Sequence, residues 1–378
     1  MTRAFRADRI FDGWRILEGH ALLLDGDRVQ AIVAKVPAGV PVVDLGAGLL
    51  APGFVDLQVN GGAGEMVGPQ TDLDQLARIC AAHRNLGATS ILPTLITDRP
   101  EVTVRVIDTA RKAAEAGLPG FAGLHLEGPH LDPLRHGAHD PDLIRPMTDT
   151  DLALLEQAAR DLPALIVTLA PCAASHAQIA RLRAAGAVVS LGHSDCTAED
   201  ARQAFAAGAR CVTHLFNAMS QLGNRAPGLV GATLTGDVQA GIIADGVHVA
   251  AEPLRIALTM TAPDRLFLVS DAMAAAGTDA TSFLLNGRRV FRRDGRLTLA
   301  DGTLAGADIS LPQSVANLVA LGVAPERALA MASRIPADVI GAGHLGRFTP
   351  GAQADMVLLD HDLRLRQVWS AETLTATA

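Results

Sequence analysis

The sequence predicts an α/β fold: a TIM-like (β/α)8 barrel beside a small β-sandwich domain made from the two ends of the chain. Eight short apolar or β-branched runs recur between residues 53 and 271, helical periodicity fills most of the gaps between them, and both chain ends read as strand and turn. Alternation of strand and helix implies a parallel sheet, and eight units is the number that closes a barrel. The length of 378 residues exceeds the roughly 250 of one α/β barrel, which leaves room for a second, smaller unit.

The runs are 54–59, 89–92, 121–126, 165–169, 188–191, 211–215, 241–244 and 266–270. Between them, apolar residues three and four apart mark helices over 73–85, 102–116, 151–160 and 198–207. Residues 1–50 alternate strand-like pieces with turns such as Asp25-Gly26-Asp27, and residues 346–378 do likewise around 355–359. Neither end supplies a core of its own, so the two are expected to pair with each other beside a catalytic barrel over 51–345. Asn286-Gly287 and Asp294-Gly295 are hairpin dipeptides flanked by Val290, Phe291, Leu297 and Leu299. They predict a β insertion near 282–304, after which helices resume at 312–321 and 325–332.

Composition narrows the function. The chain is 49% hydrophobic and carries a net charge of −8 with no Lys/Arg run, which argues for a buried core and small-molecule ligands and against nucleic acid. Cys80, Cys172, Cys196 and Cys211 show no C-x-x-C spacing and read as reduced core thiols. The first residues interleave charges with apolar side chains, and no apolar run reaches the roughly 18 residues of a membrane span. A cytoplasmic protein with no membrane partner is expected.

In a parallel barrel the active site lies at the carboxyl ends of the strands, so the polar residues after each run are the candidates. The first run leads to Gln58 and Asn60, the third to Glu127, the fifth to His193, the sixth to His214, the seventh to Asp245 and His248, and the eighth to Asp271. A lone histidine at a strand end is usually a hydrogen-bonded core residue. One carboxylate and two imidazoles on one rim are a metal-binding set that leaves a position for water. Glu127, His193 and His214 therefore predict one divalent metal ion per subunit, zinc first, with iron, manganese and cobalt suited to the same donors. Such a cation lowers the pKa of its water toward about 7. Asp271 is placed to take the water proton and return it to a leaving group; its other reading is a helix N-cap before Ala272-Met273-Ala274.

Two absences favour a single ion. The first run ends in Gln58-x-Asn60 where a two-metal barrel would carry His-x-His, and the only lysines, Lys35 and Lys112, lie where neither could bridge two ions from the rim. Gln58 and Asn60 are expected to hold hydrogen bonds in place of a first-strand metal pair. His125 and His130 flank Glu127 as supporting or loop residues. His139, within Gly137-Ala138-His139-Asp140, is expected to reach over the metal and polarise a carbonyl, with loop packing as its alternative. Asn217, Ala218 and Arg225 follow His214 in a loop, and Arg225 suits a phosphate or carboxylate unless it is a solvated surface residue. Gly61-Gly62-Ala63-Gly64 lacks the spacing of a dinucleotide loop and no Gly-Lys-Ser/Thr occurs, so no nucleotide cofactor is implied.

The strings PGFVDLQVNGG, HLEGPHLDPLRHGAHDP, LGHSDCTAEDA, VTHLFNAMSQLGNRAPGLVG, ADGVHV, LVSDAMAAAGT and DGTLAGADISL, in this order, resemble the N-acetylglucosamine-6-phosphate deacetylase family of the amidohydrolase superfamily. The likeness runs from about Ala51 to Pro350. It implies the same ligands, Glu127, His193 and His214, and the same acid/base, Asp271. It also implies that Ala138, His139, Asn217, Ala218, Arg225, His248, Leu304, Ala305 and Gly306 contact an amino-sugar phosphate. In this family the phosphate-binding arginine can come from a neighbouring subunit, so Arg225 implies a homodimer. Gln58-x-Asn60 matches the single-metal subgroup. His130 stands where relatives often carry an aromatic or apolar residue, which leaves a further ligand or an altered pocket wall open. The implied reaction is hydrolysis of the acetamide of N-acetyl-D-glucosamine 6-phosphate in amino-sugar catabolism. The rivals are the galactosamine epimer and a non-catalytic amino-sugar-phosphate sensor; Glu127, His193, His214 and Asp271 occurring together speak against the sensor.

Overall fold

The computed structural model describes residues 2–376. Eight strands form one sheet in chain order: β1 (Phe54–Val59), β2 (Ala88–Ile96), β3 (Leu124–Glu127), β4 (Leu165–Leu169), β5 (Val188–Leu191), β6 (Cys211–Val212), β7 (Gln239–Ile242) and β8 (Leu266–Leu268). Every ladder between sequential neighbours is parallel. Helices lie between the strands, among them α1 (Leu73–Asn85), α2 (Pro100–Glu115), α3 (Asp149–Asp161), α4 (His176–Ala184) and α5 (Ala198–Ala207). Strands covered on both faces read as unbroken apolar runs rather than alternating ones, which is why β4 and β5 have the bounds their composition predicts.

β8 and β1 share no regular ladder. The barrel closes instead through a parallel bridge between Val59 and Ala272, where the Asn60 N–H donates to the Ala272 carbonyl at 2.8 Å. Below it the buried Asp56 carboxylate accepts the Ser270 N–H at 3.2 Å, supplying a hydrogen bond that the missing ladder would otherwise make. Burial pushes the Asp56 carboxyl up to about 7 against the lowering effect of hydrogen bonds from Ser270 and the Gln58 backbone.

Capping boxes open three of the outer helices, pairing Thr148 with Asp151 at α3, Ser175 with Gln178 at α4 and Thr197 with Asp200 at α5. Each satisfies backbone N–H groups that a helix leaves unpaired, at about 0.5–2 kcal/mol per cap.

The chain ends add two sheets. One runs Arg28–Val33, Ala21–Asp25, Thr2–Arg6, Val42–Asp44; the other runs Leu365–Trp369, Met356–Leu359, Leu49–Pro52, Arg9–Phe11, Ile16–Glu18. The two ends of the chain meet where Met356–Leu359 pairs antiparallel with Leu49–Pro52. Period-two alternation divides their side chains. Leu50, Met356 and Leu358 join Phe5, Leu22 and Leu24 in a core between the sheets, while Leu49, Ala51, Val357 and Leu359 enter the barrel core. Each buried Leu or Val contributes about 1.5–3 kcal/mol relative to exposure, so the pattern holds the terminal sheets to the barrel.

Several boundaries differ from the sequence reading: β3 and β7 lie at Leu124–Glu127 and Gln239–Ile242 where runs over 121–126 and 241–244 were expected, β8 stops at Leu268 short of 270, and three further differences shape the site and the insertion. β2 continues to Ile96, because Pro93 sits at a register shift where a ladder hydrogen bond is already absent. β6 stops after two residues, and the chain turns into the left-handed region at His214, φ 29°. The β insertion is a four-stranded antiparallel sheet, Ser282–Leu285, Arg288–Arg293, Arg296–Thr298 and Leu304–Ala307, and so ends three residues beyond 304. Its hairpin turns carry positive φ at Asn286 and Gly287 (48° and 77°) and at Asp294 and Gly295 (51° and 69°), the conformation that selects those dipeptides. The last strand is tied to the barrel seam, since the Ala307 N–H donates to the Asp271 carbonyl at 3.0 Å.

Candidate metal and catalytic site

Glu127 is the last residue of β3, and His193, His214 and Asp271 follow β5, β6 and β8 within three residues. The last three have left-handed backbones, with φ 45°, 29° and 49°. Such a conformation costs of order 1–3 kcal/mol for a residue with a Cβ and persists only where its surroundings enforce it. Here it turns three side chains into one cavity of about 370 Å³ at the strand ends, whose walls include Glu127, His139, His193, His214, His248 and Asp271.

Glu127 Oε1 lies 3.0 Å from His214 Nε2 and 3.3 Å from His193 Nε2, and the two imidazole nitrogens are 3.0 Å apart. A tetrahedral ion with ligands at about 2.0–2.1 Å separates its ligand atoms by about 3.3 Å, so this triangle has the size a metal requires. Burial alone would raise the Glu127 pKa, but the hydrogen bonds and charges of His193 and His214 prevail and hold it well below the usual carboxylate range. Burial likewise opposes protonation of His214, yet Glu127 raises its pKa above the ordinary value. An ionised carboxylate drawing a proton onto a buried imidazole marks a place that calls for positive charge.

A fourth residue complicates the set. Donor atoms of Glu127, His139 and His193 also lie within 4.8 Å of one another, with His139 Nε2 3.9 Å from Glu127 Oε2. Tautomers separate the histidines. The His193 Nδ1 faces the Arg135 carbonyl at 2.8 Å, which can only accept, so Nδ1 carries a proton and in the neutral ring the lone pair is on Nε2, the atom that faces Glu127. His139 is reversed. Its Nδ1 lies 2.8 Å from the Thr97 hydroxyl, which can donate or accept, and 3.3 Å from the Thr97 backbone N–H, which can only donate, so in the neutral ring that accepts both the proton sits on Nε2, toward the cavity. Burial and the neighbouring His193 keep that ring neutral, its pKa well below the ordinary value. His139 is thus arranged as a donor and His193 as a ligand.

The first-strand amides brace the two carboxylates. Gln58 Nε2 donates to Glu127 Oε1 and to Asp271 Oδ1, both at 3.1 Å, and Asn60 Nδ2 donates to Asp271 Oδ1 at 2.7 Å. Burial raises the Asp271 pKa to about 6, with the Glu127 charge adding to the effect. That value suits a group that takes a proton and gives it back near neutrality.

Ala138, Asn217, Ala218, His248, Leu304 and Gly306 line the same cavity. Ala305 does not; alternation along its strand turns it into the apolar core of the insertion. Arg225 does not reach the cavity either, and lies in the exposed stretch 221–226. His130 turns away from it, with Nδ1 3.1 Å from the Arg145 carbonyl, where the ring pins a loop. His125 sits beneath the site, its Nδ1 3.0 Å from the Leu57 carbonyl and its Nε2 2.7 Å from the Thr168 hydroxyl.

The amidohydrolase family pattern matches residues 49–377 of this chain. The chain belongs to the amidohydrolase family. This amidohydrolase is 39% identical over 347 residues to the N-acetylgalactosamine-6-phosphate deacetylase of Shewanella sp. (strain ANA-3), covering 91% of this chain and 88% of that one. It is 37% identical to the N-acetylglucosamine-6-phosphate deacetylase of Homo sapiens, covering 98% and 93%. Its structure is similar to that of N-acetylglucosamine-6-phosphate deacetylase from Pasteurella multocida, with a TM-score of 0.94, 35% identity and 98% of each chain covered. Among its described residues no helix is long and apolar enough to cross a membrane.

Sequence reasoning missed Thr97, which sets the His139 tautomer, because the second run was closed at Leu92, just before Pro93. Had the run been carried to Ile96, the rule that picks polar residues beyond each strand would have found it. Arg135, Ile96, Met273 and Leu285 also line the amidohydrolase cavity, and no local pattern marks them.

Proposed function

We propose that the protein hydrolyses the acetamide of N-acetyl-D-glucosamine 6-phosphate to acetate and D-glucosamine 6-phosphate. The observation that supports it most is the meeting of a metal-sized Glu127–His193–His214 triangle, a donor at His139 Nε2 and the braced carboxylate of Asp271 in one cavity. One divalent metal ion, zinc first among the ions that suit these donors, would be held by Glu127, His193 and His214 and would supply an activated water and a positive charge beside the acyl oxygen. Asp271 takes a proton from the attacking water and delivers it to the amine as the C–N bond breaks. His139 Nε2–H donates to the acyl oxygen as negative charge develops there. Asn60 and Gln58 hold the Asp271 carboxylate in place throughout.

His248 meets the sugar phosphate inside the cavity. Arg225, exposed and outside its own cavity, serves the site of a second subunit in a homodimer; the exposed apolar Leu222 beside it, 56% accessible, suits a covered surface. The four cysteines are free thiols, in keeping with a reducing cytoplasm; Cys80, Cys196 and Cys211 are buried as expected, whereas Cys172 is exposed and not a core residue.

The likeness to the Shewanella relative supports a second substrate, N-acetyl-D-galactosamine 6-phosphate, which differs at one hydroxyl. Acetate release measured on both epimers, before and after chelation, tests the reading. Turnover that chelation abolishes and one equivalent of zinc, iron, manganese or cobalt restores is expected. Metal-loaded protein that binds the sugars and releases no acetate would instead be a sensor.

A further inference from the structure

Ile96 and Leu285 stand between the reaction centre and a second hollow. Both line the active-site cavity and both line a hollow of about 660 Å³ between the loop at 64–70 and the first hairpin of the β insertion. With Met273 they belong to an apolar cluster separate from the barrel core, against which Met66 and Phe283 also pack. We propose that Ile96 and Leu285 form a gate that confines the acyl group of the substrate to two carbons, and that the hollow behind them is a latent subsite for longer N-acyl chains. This rests on the deacylase reading above.

The placement follows from the chain. Ile96 precedes Thr97, the residue that holds His139, and Met273 lies two residues beyond Asp271. The Ile96–Met273–Leu285 corner is therefore next to both groups that act on the acyl carbonyl. The polar walls, Arg135, Asn217 and His248, belong to other parts of the rim and suit the sugar phosphate. An acyl carbon chain extending from the carbonyl finds its apolar surface at the corner, and Ile96 and Leu285, 8% and 2% accessible, block its continuation. Beyond them the hollow offers Met66, Val67, Phe283 and Leu284 as an apolar wall for hydrocarbon, with Glu65, Gln75 and Asp98 among the polar side chains that share its lining.

The test compares kcat/KM for N-acetyl-, N-propionyl- and N-butyryl-glucosamine 6-phosphate. One methylene in an apolar pocket is worth about 10–200-fold in selectivity. Ile96→Ala and Leu285→Ala, alone and together, are expected to raise the butyryl-to-acetyl ratio at least about tenfold, and Leu284→Ala, which touches only the hollow, to leave it unchanged. Ile96→Val removes one methylene with little risk to folding and is expected to raise the propionyl-to-acetyl ratio by a smaller factor. Unchanged ratios in variants that still release acetate overturn the gate and leave the deacetylase reading standing. Wild-type protein that releases neither acetate, propionate nor butyrate from the three amides overturns the reading on which the gate rests.

Discussion

Asp245 Oδ2 lies 2.6 Å from His248 Nδ1, and Asp245 Oδ1 accepts the Val247 and His248 backbone N–H groups at 2.9 and 2.8 Å. One carboxylate thereby shapes the loop after β7 and fixes which nitrogen of His248 faces the cavity. Burial opposes the Asp245 charge, but the His248 hydrogen bond prevails and keeps its pKa below the ordinary value. Asp245→Asn offers an amide where the ring expects an anion. KM for the sugar phosphate is expected to rise about tenfold with a smaller fall in kcat, the effect of one charge-assisted hydrogen bond. His248→Ala should show the same split, and the double variant should lose little more than either single one. Additive losses in steady-state kinetics would separate the two residues.

Asp271→Asn keeps the shape and removes the proposed base. Acetate release should fall about 10²–10⁴-fold while bound metal, measured by elemental analysis, stays at one equivalent. Asn60→Leu takes away the 2.7 Å donor that orients Asp271. It should lower kcat by a smaller factor and leave metal content unchanged.

A Cβ on Gly306 would lie 2.4 Å from Met273 Cγ and 2.6 Å from the Asp271 carbonyl oxygen, at a φ of +67°. The backbone oxygen cannot yield without moving the Asp271 carboxylate. Gly306→Ala is expected to cost about 1–3 kcal/mol and to lower activity as well as the melting temperature. Gly302, whose Cβ would meet nothing within 4 Å, is the comparison: Gly302→Ala should lose less stability and keep turnover.

Arg145 grips Asp151 at 2.5 and 2.7 Å, and the Thr148 N–H and hydroxyl donate to it at 2.9 and 2.6 Å. Burial would raise the Asp151 pKa, but these partners hold it well below the ordinary value. A carboxyl depressed in the folded state stabilises fully above its unfolded pKa of about 3.9, and that contribution disappears as pH falls toward the lower folded value. Asp151→Asn should therefore unfold at lower urea than wild type at pH 7, with the gap narrowing at pH 3. A gap that stays constant with pH would assign the effect to the helix cap alone.

Local chemistry made much of this molecule legible. Apolar runs fixed by burial on both faces mark β1, β4 and β5, periodicity marks α1 and α5, and Asn-Gly and Asp-Gly mark the hairpins, because each signal depends on residues only a few positions apart. The strand-end rule brings Glu127, His193, His214 and Asp271 to one rim for the same reason. Where a local signal misleads, as Pro93 does inside β2, the neighbouring site residue Thr97 is lost with it.

The amino-acid order alone determined the barrel, the rim and the kinds of donors on it. Only the folded chain decided that His193 presents a lone pair and His139 a proton, that His130 serves a loop, that Arg225 stands outside its own cavity, and that Ile96 and Leu285 divide two hollows. Strand, helix and turn preferences are set by near neighbours. Tautomers, ligand distances and cavity walls are set by groups from different strands meeting in space, such as Thr97 and His139 or Ile96 and Leu285, whose separation along the chain leaves no periodic trace.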